Sequence, residues 1–446
     1  MKTGDIIAAV ATPPGRGGIG IIRVSGPQIG KIIEGIVAAP LPARRAVRAE
    51  FRDREGIPLD RGIALFFPAP RSYTGEDVLE LHGHGGPVVM FMLLERCLAL
   101  GARIAEPGEF TRRAFLNGKL DLAQAEGVID LIEARTTQAA RCALRSLSGE
   151  FSQLIQSLIV NLVELRALAE ATLDFPDEEI DFLEYSHADA RLGDTQRQLE
   201  AILAAARSGS LLREGMRIVL AGQPNVGKSS LLNRLVGEEL AIVTDIPGTT
   251  RDMIRETINV GGVPAHIVDT AGLRDPRDPV ERLGIGRTWT AIEEADLVLL
   301  VIDAELGETA ADREILNRLP KTLRCVRVMN KIDLIGQCKS LDTATPSPVI
   351  WLSAKTGEGI DLLRDLLLET IGRHSSGESL FLARERHLEC LKRAQRHLEQ
   401  AAQHLRDLDL LAEELRLAQD ALAAIGGEFT SDDLLGEIFS RFCIGK

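Results

Sequence analysis

The chain has 446 residues, enough for about three domains of ordinary size. Its 52 basic residues against 65 acidic ones give a formal net charge of −13, which argues against a stand-alone nucleic-acid coat because phosphate binding needs clustered cations. The six cysteines are scattered without a CxxC pair, and the N-terminal residues lack the basic end and apolar run of a secretory signal. A reducing cytoplasm is therefore expected.

Residues 1–118 are predicted to form a compact α+β domain. Short β-like runs separated by Gly and Pro turns indicate the strands Ile6–Val10, Gly20–Val24, Gly62–Phe67 and Val78–His82. His82 and His84 resemble a metal pair, but no further ligand stands at a suitable spacing, so we expect a Gly-rich turn there.

Residues 119–210 change to a helical pattern, with apolar positions three and four residues apart. One predicted helix face consists of Leu120, Leu122, Ala125, Val128, Ile129 and Ile132. The acidic segment Leu173–Tyr185 interrupts the pattern and indicates a helix–helix connection. Residues 378–446 return to the helical pattern. Basic side chains in the two helical segments could bind tRNA or a partner, although such faces are usually only solvated: Arg135, Arg141, Arg145, Arg384, Arg386, Lys392, Arg393 and Arg396.

Residues 215–373 alternate short apolar strands with helical patterns, which is typical of βαβ units around a largely parallel sheet. The predicted strands are Arg217–Ala221, Thr257–Val260, His266–Asp269, Leu297–Ile302, Cys325–Asn330 and Val349–Leu352. Because helical patterns flank this segment on both sides, the predicted fold is multidomain α+β and α/β. An N-terminal α+β domain is followed by a helical domain that an α/β domain interrupts.

A phosphate-binding loop follows the first strand of the α/β segment. The run Gly222-Gln-Pro-Asn-Val-Gly-Lys-Ser229 has the spacing of a P-loop and leads into the helix-like run Ser230–Val236. Glycines let backbone amides converge on the β-phosphate. Lys228 would then reach the β- and γ-phosphates, and the Ser229 hydroxyl would bind Mg2+.

Three further motifs stand at strand ends in the order that a GTPase needs. Asp269-Thr-Ala-Gly272 would approach Mg2+ and the γ-phosphate, and Ser353-Ala-Lys355 would close over the base. In Asn330-Lys-Ile-Asp333, the Asp333 carboxylate can accept hydrogen bonds from N1–H and N2–H of guanine, whereas adenine would leave it unpaired. Together the four motifs predict a Ras-like P-loop GTPase domain.

Two features separate this domain from signalling GTPases. Leu273 stands where Ras-type enzymes keep the glutamine that orients water, so another group or a partner must orient it. The segment Thr244–Asp252 supplies a loop in which Thr250 is the candidate second Mg2+ ligand.

The chain also resembles a known family. Asn225, the run Gly248-Thr-Thr-Arg-Asp252 and Leu273 are similar to the translation-factor-related GTPases that work with potassium. The whole chain resembles the MnmE (TrmE) family of tRNA-modification GTPases within that group. The matching segments are Thr12–Gly18, Gly75–Leu81, Pro107–Thr111, Asn117–Glu126 and Phe442–Lys446.

The resemblance implies GTPase domains that dimerise across the nucleotide, with K+ doing the work of an arginine finger. The implied K+ ligands are Asn225, Thr244, Ile246 and Thr249. Glu281 matches the acid that positions the hydrolytic water, and Arg251, Asp252 and Arg274 match loop residues linked to hydrolysis; from the residues alone, Glu281 would be only a first-turn helix acid. The full set predicted to contact GTP is Asn225, Val226, Gly227, Lys228, Ser229, Ser230, Thr244, Asp245, Ile246, Pro247, Gly248, Thr249, Thr250, Asp269, Thr270, Ala271, Gly272, Asn330, Lys331, Asp333, Ser353, Ala354 and Lys355.

The resemblance further implies that residues 1–118 dimerise and bind a folate, 5-formyltetrahydrofolate. The matching positions are Arg23, Glu80, Lys119 and Lys446. A pterin offers an amide-like edge to a carboxylate such as Glu80, and its glutamate tail would bind a cation such as Arg23. Cys443 in the terminal Cys-Ile-Gly-Lys has two open interpretations, a packing residue or a catalytic thiol.

The implied function is modification of wobble uridine 34 in tRNA, with a carboxymethylaminomethyl or aminomethyl group added at C5 from a folate one-carbon unit. The implied assembly is a homodimer that forms a heterotetramer with MnmG, a flavoprotein that binds FAD and NADH. A regulatory GTPase of ribosome assembly is the alternative, although no basic KH-like module is visible in the sequence. A free-standing folate-dependent aminomethyl transferase is a third possibility.

Overall fold

The computed structural model describes residues 4–174, 187–238, 255–260, 263–269, 292, 295–320, 323–345, 347–370, 381–428, 432–440, 442 and 445. The chain divides into two compact units. The first comprises Met1–Ile129, Ile155–Ile159 and Gln419–Lys446, and the second comprises Asp130–Leu154 and Val160–Ala418. The boundaries of the four predicted segments (1–118, 119–210, 215–373 and 378–446) stay predictions.

Among the described residues, strands predominate at the beginning of the chain and helices at its end. The strands are β1 (Ile7–Val10), β2 (Gly17–Gly26), β3 (Val47–Arg52), β4 (Pro58–Phe67), β5 (Asp77–Gly85), β6 (Arg103–Ile104), β7 (Met216–Ala221), β8 (Arg255–Val260), β9 (Val263–Asp269), β10 (Leu297–Asp303), β11 (Arg324–Asn330), β12 (Ser340–Asp342) and β13 (Val349–Trp351). The helices are α1 (Gly30–Ile36), α2 (Pro87–Ala99), α3 (Glu109–Leu116), α4 (Leu122–Glu133), α5 (Thr137–Leu147), α6 (Glu150–Asp174), α7 (Ala188–Glu214), α8 (Lys228–Glu238), α9 (Ala310–Arg318), α10 (Ile332–Ile335), α11 (Ile360–Thr370), α12 (Glu385–Gln403), α13 (Leu408–Gly426) and α14 (Asp432–Ser440).

The first unit contains a six-stranded sheet in the order β3-β4-β5-β2-β1-β6. Its pairs are antiparallel except for β1 with β6. Alternate residues of the inner strands point into a core with α1 and α2, where Phe51, Leu79, Leu81 and Leu93 are fully buried. The four predicted strands are confirmed, and β3 and β6 are additional.

The predicted turn at His82-Gly-His84 is wrong, because these residues lie inside β5. Glycine is required there for close packing between strands rather than for a turn. A Cβ on Gly83 would lie 2.5 Å from Oδ2 of Asp60 on the neighbouring β4, and one on Gly85 would lie 2.7 Å from the carbonyl oxygen of Gly17.

The second unit contains a seven-stranded sheet in the order β12-β13-β11-β10-β7-β9-β8. The five inner strands are parallel, and β8 and β12 are antiparallel at the edges. All residues of β10 are buried, as expected for a central strand of a parallel sheet covered on both faces. The six predicted strands are confirmed, and the carboxyl ends of the five parallel ones meet at one edge of the sheet.

Helix α4 buries different faces along its length. Leu122, Ala125 and Ile129 pack with Phe439 of α14, as the helical pattern predicts. Ile132 lies on the same face but is 45% exposed, and the prediction for Leu120 is wrong, because the helix begins at Leu122. In the last turn the helix buries Asp130, and Leu131 packs against the core of the second unit instead.

Helices α7 and α12 of the second unit pack against each other. Gln196 of α7 donates to the carbonyl of Leu398 in α12 over 3.0 Å. Arg384 lies just before α12 as its N-cap residue, so its predicted place on a helix face is wrong. The predicted connection Leu173–Tyr185 lies almost wholly outside the described residues. Among the helices described, none is long and apolar enough to cross a membrane.

Candidate functional site

The loop between β7 and α8 has the backbone shape of a phosphate cradle. Gly222, Asn225 and Gly227 have φ values of +135°, +63° and +99°, a left-handed region that glycine and asparagine tolerate best. A Cβ on Gly222 would lie 2.2 Å from the carbonyl oxygen of Val301. The loop therefore packs directly onto β10. It leads into the N-terminus of α8, where backbone N–H groups favour a bound anion.

Lys228 spans this loop from the first position of α8. Its Nζ donates to the carbonyl oxygens of Gly222, over 2.9 Å, and Gln223, over 3.1 Å, and the residue is buried. Ser229 and Ser230 follow on the exposed side of the first helical turn. A buried ammonium beside converging amides and exposed hydroxyls fits a polyphosphate with its Mg2+ ion.

Asn330 joins three of the predicted motifs. Its Nδ2 donates to the carbonyl oxygen of Val226 over 2.8 Å, and its Oδ1 accepts from the backbone N–H of Ala354 over 2.9 Å. The side chain is 2% exposed, so both hydrogen bonds are shielded from water. A Cβ on Gly227 would lie 2.2 Å from the same Nδ2, which explains the glycine at this position. Asn330 therefore fixes the phosphate loop against the two loops expected to hold the base.

Asp333 and Ser353 form the part of the site expected to recognise guanine. The Ser353 hydroxyl donates to Oδ1 of Asp333 over 2.6 Å, while it accepts from the N–H of Thr356 over 3.2 Å. Ser353 is fully buried, whereas Asp333 is exposed. The carboxylate is thus held in one orientation with an open side, as hydrogen bonding to N1–H and N2–H of guanine requires.

The structure adds two residues that the sequence did not indicate. Asp303, at the end of β10, pairs with Lys331 at 2.6 Å between Oδ2 and Nζ. Burial alone would raise the pKa of Asp303, but the hydrogen bond from Lys331 lowers it below its usual range, so the pair stays charged. Arg234 of α8 donates to the carbonyl oxygens of Ala354 and Lys355, which ties this helix to the base loop. The position of Asp303 directly after a predicted apolar strand is the one sequence signal that could have indicated its pair with Lys331.

Several predicted residues lie outside the described part of the chain. Asp269 is the last residue of β9 and lies in register beside Leu220 of β7, at the carboxyl edge of the sheet, as expected. The predicted residues outside the described ones are Thr244, Asp245, Ile246, Pro247, Gly248, Thr249, Thr250, Arg251, Asp252, Thr270, Ala271, Gly272, Leu273, Arg274, Glu281, Cys443 and Lys446.

A second candidate site lies in the first unit, at Arg23 on β2 and Glu80 on β5. The two residues face each other in the strand register, and both Nε and Nη2 of Arg23 lie 2.9 Å from Oε1 of Glu80. The guanidinium carbon lies 5.6 Å from the ring centroid of Tyr73 and 5.8 Å from that of Phe110. Burial raises the pKa of Tyr73, so its hydroxyl stays neutral. The site combines a half-buried ion pair with two aromatic rings.

The end of the chain lies against this ion pair. Nη1 of Arg23 donates to the carbonyl oxygen of Gly445 over 3.3 Å, and a Cβ on Gly445 would lie 2.4 Å from the carbonyl oxygen of Val10. Lys119 donates from Nζ to the carbonyl oxygen of Pro70 over 3.2 Å. Arg23, Glu80 and the C-terminal segment therefore come together.

His82 is a further neighbour of the ion pair that the sequence did not indicate. Its Nε2 lies 3.2 Å from Oε2 of Glu80. The two-residue spacing along β5 would have indicated this, because alternate residues of a strand share a face. His84 instead contacts Asp60, with 2.7 Å between Nδ1 and Oδ1. Within the described residues, no group of three or more His, Cys, Asp or Glu side chains could hold a metal ion.

Comparison with known proteins gives the family. The family model "GTP-binding protein TrmE N-terminus" matches residues 6–119, and "MnmE helical domain" matches residues 122–443. The chain belongs to the MnmE family. It is 59% identical over 451 residues to the tRNA modification GTPase MnmE of Nitrosomonas eutropha, covering 100% of both chains. It is also 59% identical over 442 residues to MnmE of Thiobacillus denitrificans, covering 99% of this chain and 98% of the relative.

Membership of the MnmE family confirms three predictions. The multidomain α+β and α/β fold class, the resemblance to MnmE, and the assignment as a GTP hydrolase acting in tRNA modification are all confirmed. The family favours tRNA modification over the ribosome-assembly alternative. The assignment of the residues around Lys228 and Asn330 to GTP binding stays a prediction.

Proposed function

We propose that this GTP hydrolase is K+-dependent, that its GTPase domains dimerise across the nucleotide, and that turnover gates the modification of wobble uridine 34. The observation that supports it best is the phosphate loop. Asn225 stands exposed on its rim in a left-handed turn, next to a buried Lys228 and an exposed Ser229. A carboxamide oxygen on that rim suits a hard monovalent cation beside the β–γ bridge.

Oxygen donors of this chain would bind the two ions. Ser229 and Thr250 would hold Mg2+, and K+ would bind Asn225, Thr244, Ile246 and Thr249. The bound cations supply positive charge where negative charge grows during phosphoryl transfer. Lys228 holds the β- and γ-phosphates from the side of α8.

The hydrolytic water needs its own positioning group, because Leu273 carries no polar atom that could orient it. We assign this role to Glu281, whose carboxylate would accept a hydrogen bond from the water and hold it in line with the γ-phosphate. Arg251, Asp252 and Arg274 would act from the neighbouring loops in coupling hydrolysis to movement.

GTP turnover in K+ and in Na+ at equal ionic strength tests this proposal, with the protein concentration varied in each series. We expect faster turnover in K+ and a specific activity that rises with protein concentration. Glu281→Ala should lose turnover and keep nucleotide affinity, whereas Glu314→Ala, an exposed acid on α9, should change neither. Equal rates in both salts that are linear in enzyme would contradict the mechanism.

The first unit is proposed to bind 5-formyltetrahydrofolate at Arg23, Glu80, Lys119 and Lys446. In the structure, the side chains of Arg23 and Glu80 form an ion pair with each other, and a bound folate would replace that pair. The pterin amide edge would donate to the carboxylate and the glutamate tail would accept from the guanidinium. The Tyr73 ring beside Arg23 offers an apolar wall for a flat ligand.

Isothermal titration with 5-formyltetrahydrofolate tests the folate site. Arg23→Gln is expected to weaken binding by about tenfold or more, the equivalent of one charge-assisted contact. The control is Arg48→Gln, an exposed arginine on β3 of the same sheet. Equal affinities for the two variants would refute the assignment.

Exposed apolar residues of the first unit support a homodimer through residues 1–118. Val88 and Phe91 lie one turn apart on α2 and are 71% and 63% exposed, and Ile19 on β2 is 67% exposed. The carbonyl oxygen of Ile19 would lie 2.7 Å from a Cβ on Gly85, which is two residues before α2, so the three residues are close together. Phe91→Asp should convert the dimer to a monomer in sedimentation at micromolar concentration. A dimer that persists in this variant would refute the surface.

The remaining steps are proposed for the cytoplasm, in a heterotetramer with the FAD- and NADH-binding flavoprotein MnmG that contacts tRNA jointly. A carboxymethylaminomethyl or aminomethyl group would be built at uridine C5. Support comes from the family, whose named members are tRNA modification GTPases. Nucleoside mass spectrometry of tRNA from cells that lack this chain, with and without complementation, measures the product. Unchanged wobble uridine in the deletion strain would contradict the proposal.

A further inference from the structure

One carboxylate holds together the two points at which the chain enters and leaves the nucleotide-binding sheet. The chain enters through the end of α7 and leaves just before α12. Asp130, in the last turn of α4, accepts at Oδ1 from Nε of Arg213 over 2.9 Å and from Nη2 of Arg384 over 2.8 Å. Arg213 is in the last turn of α7, and Arg384 immediately precedes α12.

The carboxylate at the centre of this cluster is shielded from water. The side chains of Asp130, Arg384 and Arg213 are 4%, 12% and 25% exposed. Charge-assisted hydrogen bonds in such surroundings are short and geometrically specific. Removing the carboxylate would remove the counter-charge that the two guanidiniums share and would weaken the connection between the two crossings.

The entry crossing is connected directly to the strand that ends in the γ-phosphate motif. His266 of β9 lies three residues before Asp269, and its Nε2 lies 2.9 Å from the carbonyl oxygen of Glu214. Because a carbonyl can only accept, Nε2 carries the proton. Nδ1 then accepts from the hydroxyl of Thr257, also over 2.9 Å. The last carbonyl of α7 is therefore bound to the strand whose end would contact the γ-phosphate.

The backbone at this crossing is closely packed against that strand. Gly215, between α7 and β7, has a φ of +78°, and a Cβ there would lie 2.7 Å from Nε2 of His266. Arg213 lies two residues before Gly215, and it also pairs with the adjacent Glu214. A displacement of β9 therefore moves the last turn of α7.

The exit crossing is fixed by the helices. The hydroxyl of Ser146 on α5 accepts from the N–H of Leu382 over 3.1 Å. The ring of Phe151 on α6 stacks on Phe381 with 4.3 Å between centroids. Arg384 follows these residues directly, so one side of the cluster is anchored to the helices while the other follows β9.

We propose that Asp130 is a positioning residue that transmits nucleotide-dependent displacement of β9 to the helices of the second unit. The sequence of contacts runs from His266 to Glu214, then through Arg213 and Asp130 to Arg384. The inference rests on the GTP hydrolase activity of the family and on neither the K+ nor the folate proposal. Asp130 touches no substrate and acts only by keeping both crossings in one arrangement.

Hydrogen–deuterium exchange of the full chain, with GDP and with a non-hydrolysable GTP analogue, tests the proposal. In the unaltered protein, peptides over residues 126–133 and 381–390 should differ between the two nucleotides, as should the phosphate loop. In Asp130→Asn, the two helical peptides should exchange equally with both nucleotides, while the phosphate loop should still differ between them. The rate of GTP turnover should stay within about twofold of that of the unaltered protein. Modification of tRNA in complemented cells should fall at least about fivefold, the lower end of ordinary allosteric coupling.

Asp194→Asn is the matched control, because it breaks an exposed ion pair with Arg197 on α7. This variant should behave as the unaltered protein. Helical peptides of Asp130→Asn that still respond to the nucleotide would overturn the proposal. A lower melting temperature with unchanged nucleotide response would also overturn it, since that is what a merely structural role produces.

A second pair of variants covers the case in which Asp130→Asn does not fold. Arg384→Gln leaves Asp130 paired with Arg213 and should lose the nucleotide response only at residues 381–390. Arg384→Lys keeps the charge and should restore part of it. Equal responses in the two Arg384 variants would contradict the role of the ion pair.

Discussion

Replacing Asn330 by alanine should destabilise the nucleotide-binding sheet and loosen its site. The side chain is almost wholly buried and makes one hydrogen bond to Val226 and one to Ala354, both to the backbone. Alanine would leave a buried carbonyl of the phosphate loop and a buried N–H of the base loop without their partners.

The magnitude follows from these two groups. Each unsatisfied buried partner costs about 1–3 kcal/mol, so the two together cost about 2–6 kcal/mol. A water molecule entering the space left by the carboxamide would restore part of this, which brings the expected loss in free energy of unfolding to about 2–4 kcal/mol.

Tryptophan fluorescence during urea unfolding measures this loss. The chain has two tryptophans, and both are within the segment 215–373, with Trp351 ending β13 close to Ala354. The control is Asn233→Ala on the exposed side of α8, which should change the free energy of unfolding by less than about 0.5 kcal/mol. Titration with a fluorescent GDP analogue should show weaker binding only for Asn330→Ala.

Asn330→Ala and Asn233→Ala should therefore differ, and unfolding at the same urea concentration with equal GDP affinity would contradict this expectation. That result would mean that water satisfies both backbone groups without cost. The phosphate loop would then be held by its own glycines and by Lys228 rather than by the base loop.

Three further expectations concern single residues. Gly227→Ala should abolish binding of a fluorescent GDP analogue, because the new Cβ would lie 2.2 Å from Asn330, and retained affinity would contradict this packing. Burial alone would raise the pKa of Glu109, but hydrogen bonds from two arginines lower it below the ordinary 4.5. The ionised carboxylate therefore stabilises the folded state above that pH, and this stabilisation is lost on further acidification. The free energy of unfolding in urea should therefore fall less at acid pH in Glu109→Gln than in the unaltered protein. An equal fall in both proteins would contradict this expectation. Burial raises the pKa of Cys97 to about 12, so iodoacetamide at about pH 8 should label exposed Cys338 and leave Cys97 unmodified by peptide mass spectrometry; equal labelling would disprove the burial.

Local chemistry made much of the GTP site predictable from the sequence. Buried parallel strands are continuous apolar runs, and a P-loop after such a strand has few other structural interpretations. The position of Asp333 at the end of a predicted strand likewise followed from its motif. The edge strand β3 was missed although its run VRAEFR alternates apolar and polar residues, a pattern that does favour a half-buried strand.

Contacts between distant parts of the chain could not be predicted. Asp130 pairs with Arg213 and Arg384, which are 83 and 254 residues away, and nothing in the local sequence of any of them indicates the others. The error at His82 has a related cause. Glycine favours turns but also allows close packing, and the neighbour that requires Gly83 is Asp60 on another strand.

We propose that GTP hydrolysis by this domain drives tRNA modification, with the base recognised by Asp333. The most direct test replaces it by asparagine, whose carboxamide can donate to the extra carbonyl of xanthine but cannot accept both guanine N–H groups. Extract from cells that lack the chain is freed of small molecules and supplied again with FAD, NADH and 5-formyltetrahydrofolate. The tRNA of these cells and the purified protein are then added. We expect the unaltered protein to support modification with GTP only and Asp333→Asn to support it with XTP only. Modification by Asp333→Asn with GTP, or by either protein without a nucleotide, would contradict the account.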